Sequence, residues 1–139
     1  MDVLLVDDHP ILHETLRAIV RSARPDAEIY SQFTLAAGLS QASRLNALEL
    51  VLLDPGLPGC SGMDALLRFR MEVPHVRIAV ISADDDDDRI RAALDGGAVG
   101  FLPKTLQPKA MADAIRSILD GGTSGSAVLG QPQTLFPSL

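Results

Sequence analysis

The sequence predicts an α/β fold in which a parallel sheet carries helices on both faces. Three observations predict it. Four short apolar runs, Val3–Val6, Leu50–Leu53, Ile78–Ile81 and Val99–Leu102, are continuous rather than alternating. Strands that read this way are buried on both faces, as in a parallel sheet. The segments between them have helical periodicity, and strand and helix alternate five times, which calls for right-handed crossovers.

The elements follow in order. The first run, Val3–Val6, leads straight into Asp7-Asp8. Leu12, Leu16, Ile19 and Val20 then share one helical face, and Pro10 suits a first helical turn. A weaker strand, Ala27–Tyr30, follows the breaker Arg24-Pro25-Asp26. Leu35, Leu39 and Ala42 form a second stripe with Thr34 as N-cap. After Leu50–Leu53, a third stripe is expected at Met63, Leu66, Leu67 and Met71, stopped by Pro74. Ile90, Ala93 and Leu94 make a fourth, closed by Gly96-Gly97. Met111, Ile115, Ile118 and Leu119 make a fifth, closed by Gly121-Gly122. Beyond Gly121 the composition turns to Gly, Ser, Gln and Pro. This predicts a domain over 1–121 and a linker or tail over 122–139.

The bulk numbers narrow the function classes. A chain of 139 residues suits one domain, and 47% hydrophobic with 22% charged residues is an ordinary globular balance. The formal net charge of -6 does not favour nucleic acid, which calls for a basic patch, so any DNA role is expected outside this chain. Cys60 is the one cysteine, which excludes an internal disulfide and fits a reducing cytoplasm. The first apolar stretch is too short for a signal peptide, and no run approaches the roughly 20 residues of a membrane span. The expected location is cytoplasmic, with no membrane partner.

Chemistry is concentrated at the strand ends. The first strand ends in Asp7-Asp8, the third in Asp54, the fourth in Ser82, and the fifth just before Lys104. In an open parallel sheet the carboxyl ends of neighbouring strands line one crevice. Three carboxylates gathered there repel one another unless a cation neutralises them, and carboxylate oxygens are what magnesium prefers. A carboxylate is also a competent nucleophile toward phosphorus. Lys104 and Ser82 can bind phosphoryl oxygens, so every part of an aspartyl-phosphate reaction is present.

These residues resemble a known family. Val6-Asp7-Asp8-His9-Pro10 is similar to the opening of a response regulator receiver domain of two-component signalling, in its NarL/LuxR-type form. Leu53-Asp54-Pro55-Gly56-Leu57-Pro58-Gly59 resembles the phosphoacceptor strand and loop. Ile81-Ser82-Ala83 resembles the switch position, and Gly100-Phe101-Leu102-Pro103-Lys104 the lysine-bearing strand. The resemblance covers about residues 2–121. It implies a flavodoxin-like, doubly wound five-stranded sheet of order 2-1-3-4-5 with five helices. It makes Asp54 the phosphoacceptor, with Asp7, Asp8, Asp54 and the Gly56 carbonyl holding magnesium. Ser82 and Lys104 become the phosphate-contacting pair, Phe101 the aromatic that moves with the switch, and Asp84 a position that tunes hydrolysis.

The implied partner is a histidine kinase, and the implied output is transcription regulation through a helix-turn-helix domain absent from this chain, with a possible homodimer. The domain would catalyse only its own phosphorylation and dephosphorylation. The competing reading is a pseudo-receiver, an interaction module that works without phosphorylation. A flavin binder would need a Ser/Thr/Gly-rich phosphate cradle where Asp7-Asp8-His9-Pro10 stands. The run Asp84–Asp88 reads as a solvated loop favoured by the positive end of the fourth helix. No zinc role is expected for His9 or His13, since no second ligand pattern accompanies them. Cys60 is expected to be inert.

Overall fold

The computed structural model describes residues 1–121. Its elements are β1 (Asp2–Val6), α1 (Pro10–Ala23), β2 (Glu28–Gln32), α2 (Leu35–Arg44) and β3 (Leu48–Leu53). They continue with α3 (Asp64–Glu72), β4 (Arg77–Ser82), α4 (Asp87–Asp95), β5 (Gly100–Pro103) and α5 (Pro108–Leu119). The five strands are all parallel, in the order β2-β1-β3-β4-β5. Strand order reverses direction between β1 and β3, which opens a crevice at their carboxyl ends.

The pleat divides each strand between two cores. Leu4, Val6, Val51, Leu53, Ile78, Val80 and Phe101 face one side, where α2, α3 and α4 contribute Leu39, Leu66, Phe69 and Ile90. Val3, Leu5, Leu50, Leu52, Ala79, Ile81 and Leu102 face the other, against Leu16 and Val20 of α1 and Met111 and Ile115 of α5. A side chain at Gly38 would bring its Cβ to 3.0 Å from Val6 Cγ2 and 3.1 Å from Phe69 Cζ. That glycine lets α2 lie close on the end of β1.

Local signals act where expected. Pro10 opens α1, the Thr34 side chain accepts from the Ala37 N–H at 3.1 Å, and Gly97 closes α4 at φ +97. Two strands and one helix face differ from the sequence expectation. The edge strand β2 lies one to two residues later than Ala27–Tyr30, and β5 runs through Pro103. The third stripe is corrected more substantially. Ala65, Leu66 and Phe69 of α3 are buried, while Leu67 and Met71 face solvent at 49% and 82% exposure. The helix carries apolar residues on two faces. The face that encloses the Phe69 ring completely, with small Ala65 beside it, is the one turned to the sheet. Residues 122–139, expected as linker or tail, lie outside the described residues.

Candidate functional site

Register brings the acids together. Val6 pairs with Leu53, so the residues that follow, Asp7 and Asp54, leave the sheet side by side, and the Asp54 N–H donates to the Val6 carbonyl at 2.9 Å. On the other flank, the Lys104 N–H donates to the Ser82 carbonyl at 2.8 Å, which carries the lysine past the end of β5. The Lys104 ammonium then lies 2.9 Å from Asp7 Oδ2 and 2.9 Å from Asp54 Oδ2. Asp7 is 1% exposed and Asp54 6%. Gly56 donates its N–H to Asp54 Oδ1 at 2.8 Å, two residues on, past the N–H that Pro55 lacks. A Cβ at Gly56 would sit 3.2 Å from the same oxygen, so the loop's close return depends on a small residue.

The electrostatics follow from this packing. Burial alone pushes the Asp7 carboxyl up, but the Lys104 ammonium and the His9 donors together hold it below its ordinary value. Burial alone pulls Lys104 down, but Asp7 and Asp54 hold its ammonium above its ordinary value. Asp7 Oδ2 is met by the Lys104 ammonium alone, and the buried Asp8 Oδ1 has no hydrogen-bond donor. Asp7, Asp8, His9 and Asp54 each present one ligand atom, all within 4.8 Å of one another. Desolvated carboxylate oxygens in excess over their donors suit a hard divalent cation, so the donor set fits magnesium.

His9 is the residue that sequence reasoning missed. The sequence predicts no zinc role for it, and its side chain is 63% exposed. Its Nδ1 nevertheless turns inward, to 2.6 Å from Asp7 Oδ1 and 3.3 Å from Asp8 Oδ1. Its backbone N–H also donates to Asp7 Oδ1, at 2.9 Å. The available signal was its position directly after two acids that leave a buried strand.

The remaining expected residues lie around this centre. Ser82 is buried at the end of β4, and its hydroxyl is engaged in its own loop, 3.1 Å from both the N–H and the carbonyl of Asp84. Phe101 is 0% exposed, packed in the α3–α4 side of the core. The Asp84 carboxylate pairs with Arg89 Nε at 3.2 Å. Asp86, Asp87 and Asp88 serve the helix. Asp86 accepts from the Arg89 N–H at 2.8 Å, and Asp87 and Asp88 occupy the first turn of α4. Cys60 is half-buried against the core.

A family model for the response regulator receiver domain matches residues 3–116. The chain belongs to that family. This receiver domain is 34% identical over 119 residues to the glycerol metabolism activator of Pseudomonas putida, covering 86% of this chain and 54% of that protein. It is 30% identical to the nitrate/nitrite response regulator protein NarP of Escherichia coli, covering 93% and 58%. The chain thus spans somewhat over half the length of these curated relatives. A LuxR family DNA-binding response regulator from Silicibacter pomeroyi superposes with a TM-score of 0.78 at 29% identity, covering 94% of this chain and 98% of that one. The isolated receiver domain of RcsB from Salmonella enterica superposes at 0.81 with 20% identity, a likeness of fold. The chain is therefore the receiver domain of a two-component response regulator. Among the described residues, no helix is long and apolar enough to cross a membrane.

Proposed function

We propose that this receiver domain takes a phosphoryl group onto Asp54 from the phosphohistidine of a histidine kinase. The observation that carries the reading is the buried Asp54 carboxylate, bridged to Asp7 by the Lys104 ammonium at 2.9 Å on each side. An Asp54 oxygen attacks phosphorus while the phosphorus–nitrogen bond to the kinase imidazole breaks. The imidazole leaves with the electron pair and is protonated. Lys104 is placed to follow the charge from the Asp54 carboxylate onto a phosphoryl oxygen, and the Gly56 N–H already faces Asp54. Asp7, Asp8, Asp54 and the Gly56 carbonyl would hold magnesium, which supplies charge neutralisation for the incoming phosphoryl oxygens. The domain acts in this way on itself alone, by gaining and losing its own phosphoryl group.

Ser82 then leaves its loop bonds to Asp84 and turns to the phosphoryl group, and the space it vacates lets Phe101 shift. Asp84, tied to Arg89 at the mouth of this loop, tunes hydrolysis. Residues 1–121 are the receiver. The output is transcription regulation through a DNA-binding domain beyond this chain, in the cytoplasm, with a homodimer as one functional state. Support comes from longer relatives, two of which are named as a transcriptional activator and a transcriptional regulatory protein.

The test is intact mass after incubation with acetyl phosphate and magnesium, beside Asp54→Asn. One phosphoryl adduct is expected on the wild type, dependent on magnesium and missing in the variant. An adduct that persists in Asp54→Asn overturns the assignment of the acceptor. Absence of both adduct and magnesium binding in the wild type favours a phosphorylation-independent interaction module.

A further inference from the structure

We propose that His13 is a positioning residue for the phosphoacceptor pocket, holding through its Nε2–H the peptide that joins Asp7 to Asp8. The inference rests on reading Asp54 as the phosphoacceptor and adds the residue that sets the direction in which Asp8 leaves β1.

The argument starts where the sheet ends. Asp7 follows the last residue of β1, and its N–H still donates to the Gln32 carbonyl at 3.2 Å. Its own carbonyl has no backbone donor among the described residues. The His13 ring, on α1, closes that gap, with Nε2 2.5 Å from the Asp7 carbonyl oxygen in a buried contact. A carbonyl only accepts, so the ring nitrogen that faces it carries the proton. A buried carbonyl stripped of its donor is costly, so the bond fixes how this peptide is turned.

A second observation separates this role from ordinary core filling. His13 is 3% exposed, and its Nδ1 is buried with no hydrogen-bond partner. A leucine in the same place would avoid that desolvation, so the bond at Nε2 is what offsets it. The ring is itself held still. The His13 N–H donates to the His9 carbonyl at 3.4 Å, and the Phe33 ring lies against the imidazole with centroids 4.4 Å apart. From the other side, the His9 N–H donates to Asp7 Oδ1 at 2.9 Å. Asp7 is therefore gripped by both its carboxylate and its carbonyl. Rotation of the Asp7–Asp8 peptide would swing the Asp8 carboxylate away from Asp7 and Asp54, and the clamped carbonyl prevents it. A shift of about 1 Å in a positioned group can cost up to about a hundredfold in rate.

The test compares the full chain as wild type, His13→Gln and His13→Leu. Glutamine can offer an N–H near the place of Nε2, while leucine fills the site without a donor. Ring 15N resonances, assigned to His13 by their loss in the variants, locate the ring proton. The Asp8 amide resonance reports the Asp7–Asp8 peptide. Intact mass gives the rate of adduct formation from acetyl phosphate and magnesium, beside urea midpoints. The expectation is a proton on Nε2, a displaced Asp8 amide in His13→Leu, and a rate about tenfold lower in that variant. His13→Gln should bring the rate back to within about twofold of wild type. A residue that only fills the core would lower the urea midpoints and leave the rate of the folded protein unchanged. A bare Nε2, a His13→Leu rate equal to wild type, or a His13→Gln rate as low as that of His13→Leu overturns the role of His13 while Asp54 stands as acceptor. A wild type that gains no adduct overturns the acceptor reading itself and the positioning role with it, even with the proton found on Nε2.

Discussion

Two regions of this receiver domain are crowded with aspartate, and they behave in opposite ways. Asp7, Asp8 and Asp54 gather where β1 and β3 end, with Asp7 and Asp54 nearly sealed from solvent and clamped by Lys104. Asp84, Asp86, Asp87 and Asp88, at the start of α4, are exposed. The second region holds more acids in a shorter stretch, yet it does ordinary structural work. Asp86 caps the helix, and Asp87 and Asp88 sit in its first turn. Burial separates the two regions, because desolvation makes a carboxylate demand a specific partner, whereas water satisfies an exposed one.

The sharpest way to break the comparison is to remove the counter-ion on the buried side. Lys104→Met leaves Asp7 buried without its ammonium, and we expect a loss of about 3–5 kcal/mol at neutral pH, read from urea midpoints. The pH dependence has a definite sign. The folded-state value of Asp7 is held below its ordinary value of 3.8. Its contribution is present above that ordinary value and is lost as pH falls through the lower folded value. The gap between wild type and Lys104→Met should therefore narrow as pH drops below about 4. A gap unchanged between pH 7 and pH 3 would remove the coupling from the account.

On the exposed side the expected effects are smaller. Asp86→Ala removes the side chain that caps α4, and its expected cost is about 1 kcal/mol by thermal or urea unfolding. Asp88→Asn weakens only the charge–dipole interaction in the first turn, for about 0.3–0.5 kcal/mol, and added salt should erase the difference. If Asp88→Asn cost as much as Lys104→Met, burial would not be what distinguishes the two clusters.

Much of the site was readable in the sequence because its information is local. An apolar run that stops at an acid, as Val6 does at Asp7 and Leu53 at Asp54, states both the buried strand and the residue at its mouth. Thr34 and Pro10 mark their helices for the same reason. The exposed face of α3 was not readable, since Leu67 and Met71 fit helical periodicity as well as Leu66 and Phe69 do. Which stripe turns inward is decided by the neighbouring sheet. His9 eluded the reading for a related reason. Its residue type said little, and its ring faces not only Asp7 beside it in sequence but also the Lys104 ammonium, 95 positions away in the chain and 3.3 Å away in space. The hydroxyl of Ser82 is similar: its place at the strand end was legible, its bonds to Asp84 were not.

The burial of β1 and β3 has a consequence for how this site communicates. Val3–Val6 and Leu50–Leu53 are at most 1% exposed and occupy the middle of the sheet. Backbone amides in such strands exchange with deuterated solvent only when the whole domain opens, while loop amides exchange through small local fluctuations. The strands that present Asp7 and Asp54 are therefore effectively immobile on the timescale of signalling. A message from the pocket leaves instead through the turns after β1, β3 and β4, at His9, Gly56 and Asp84, and through side chains such as Phe101 that shift without dismantling the sheet.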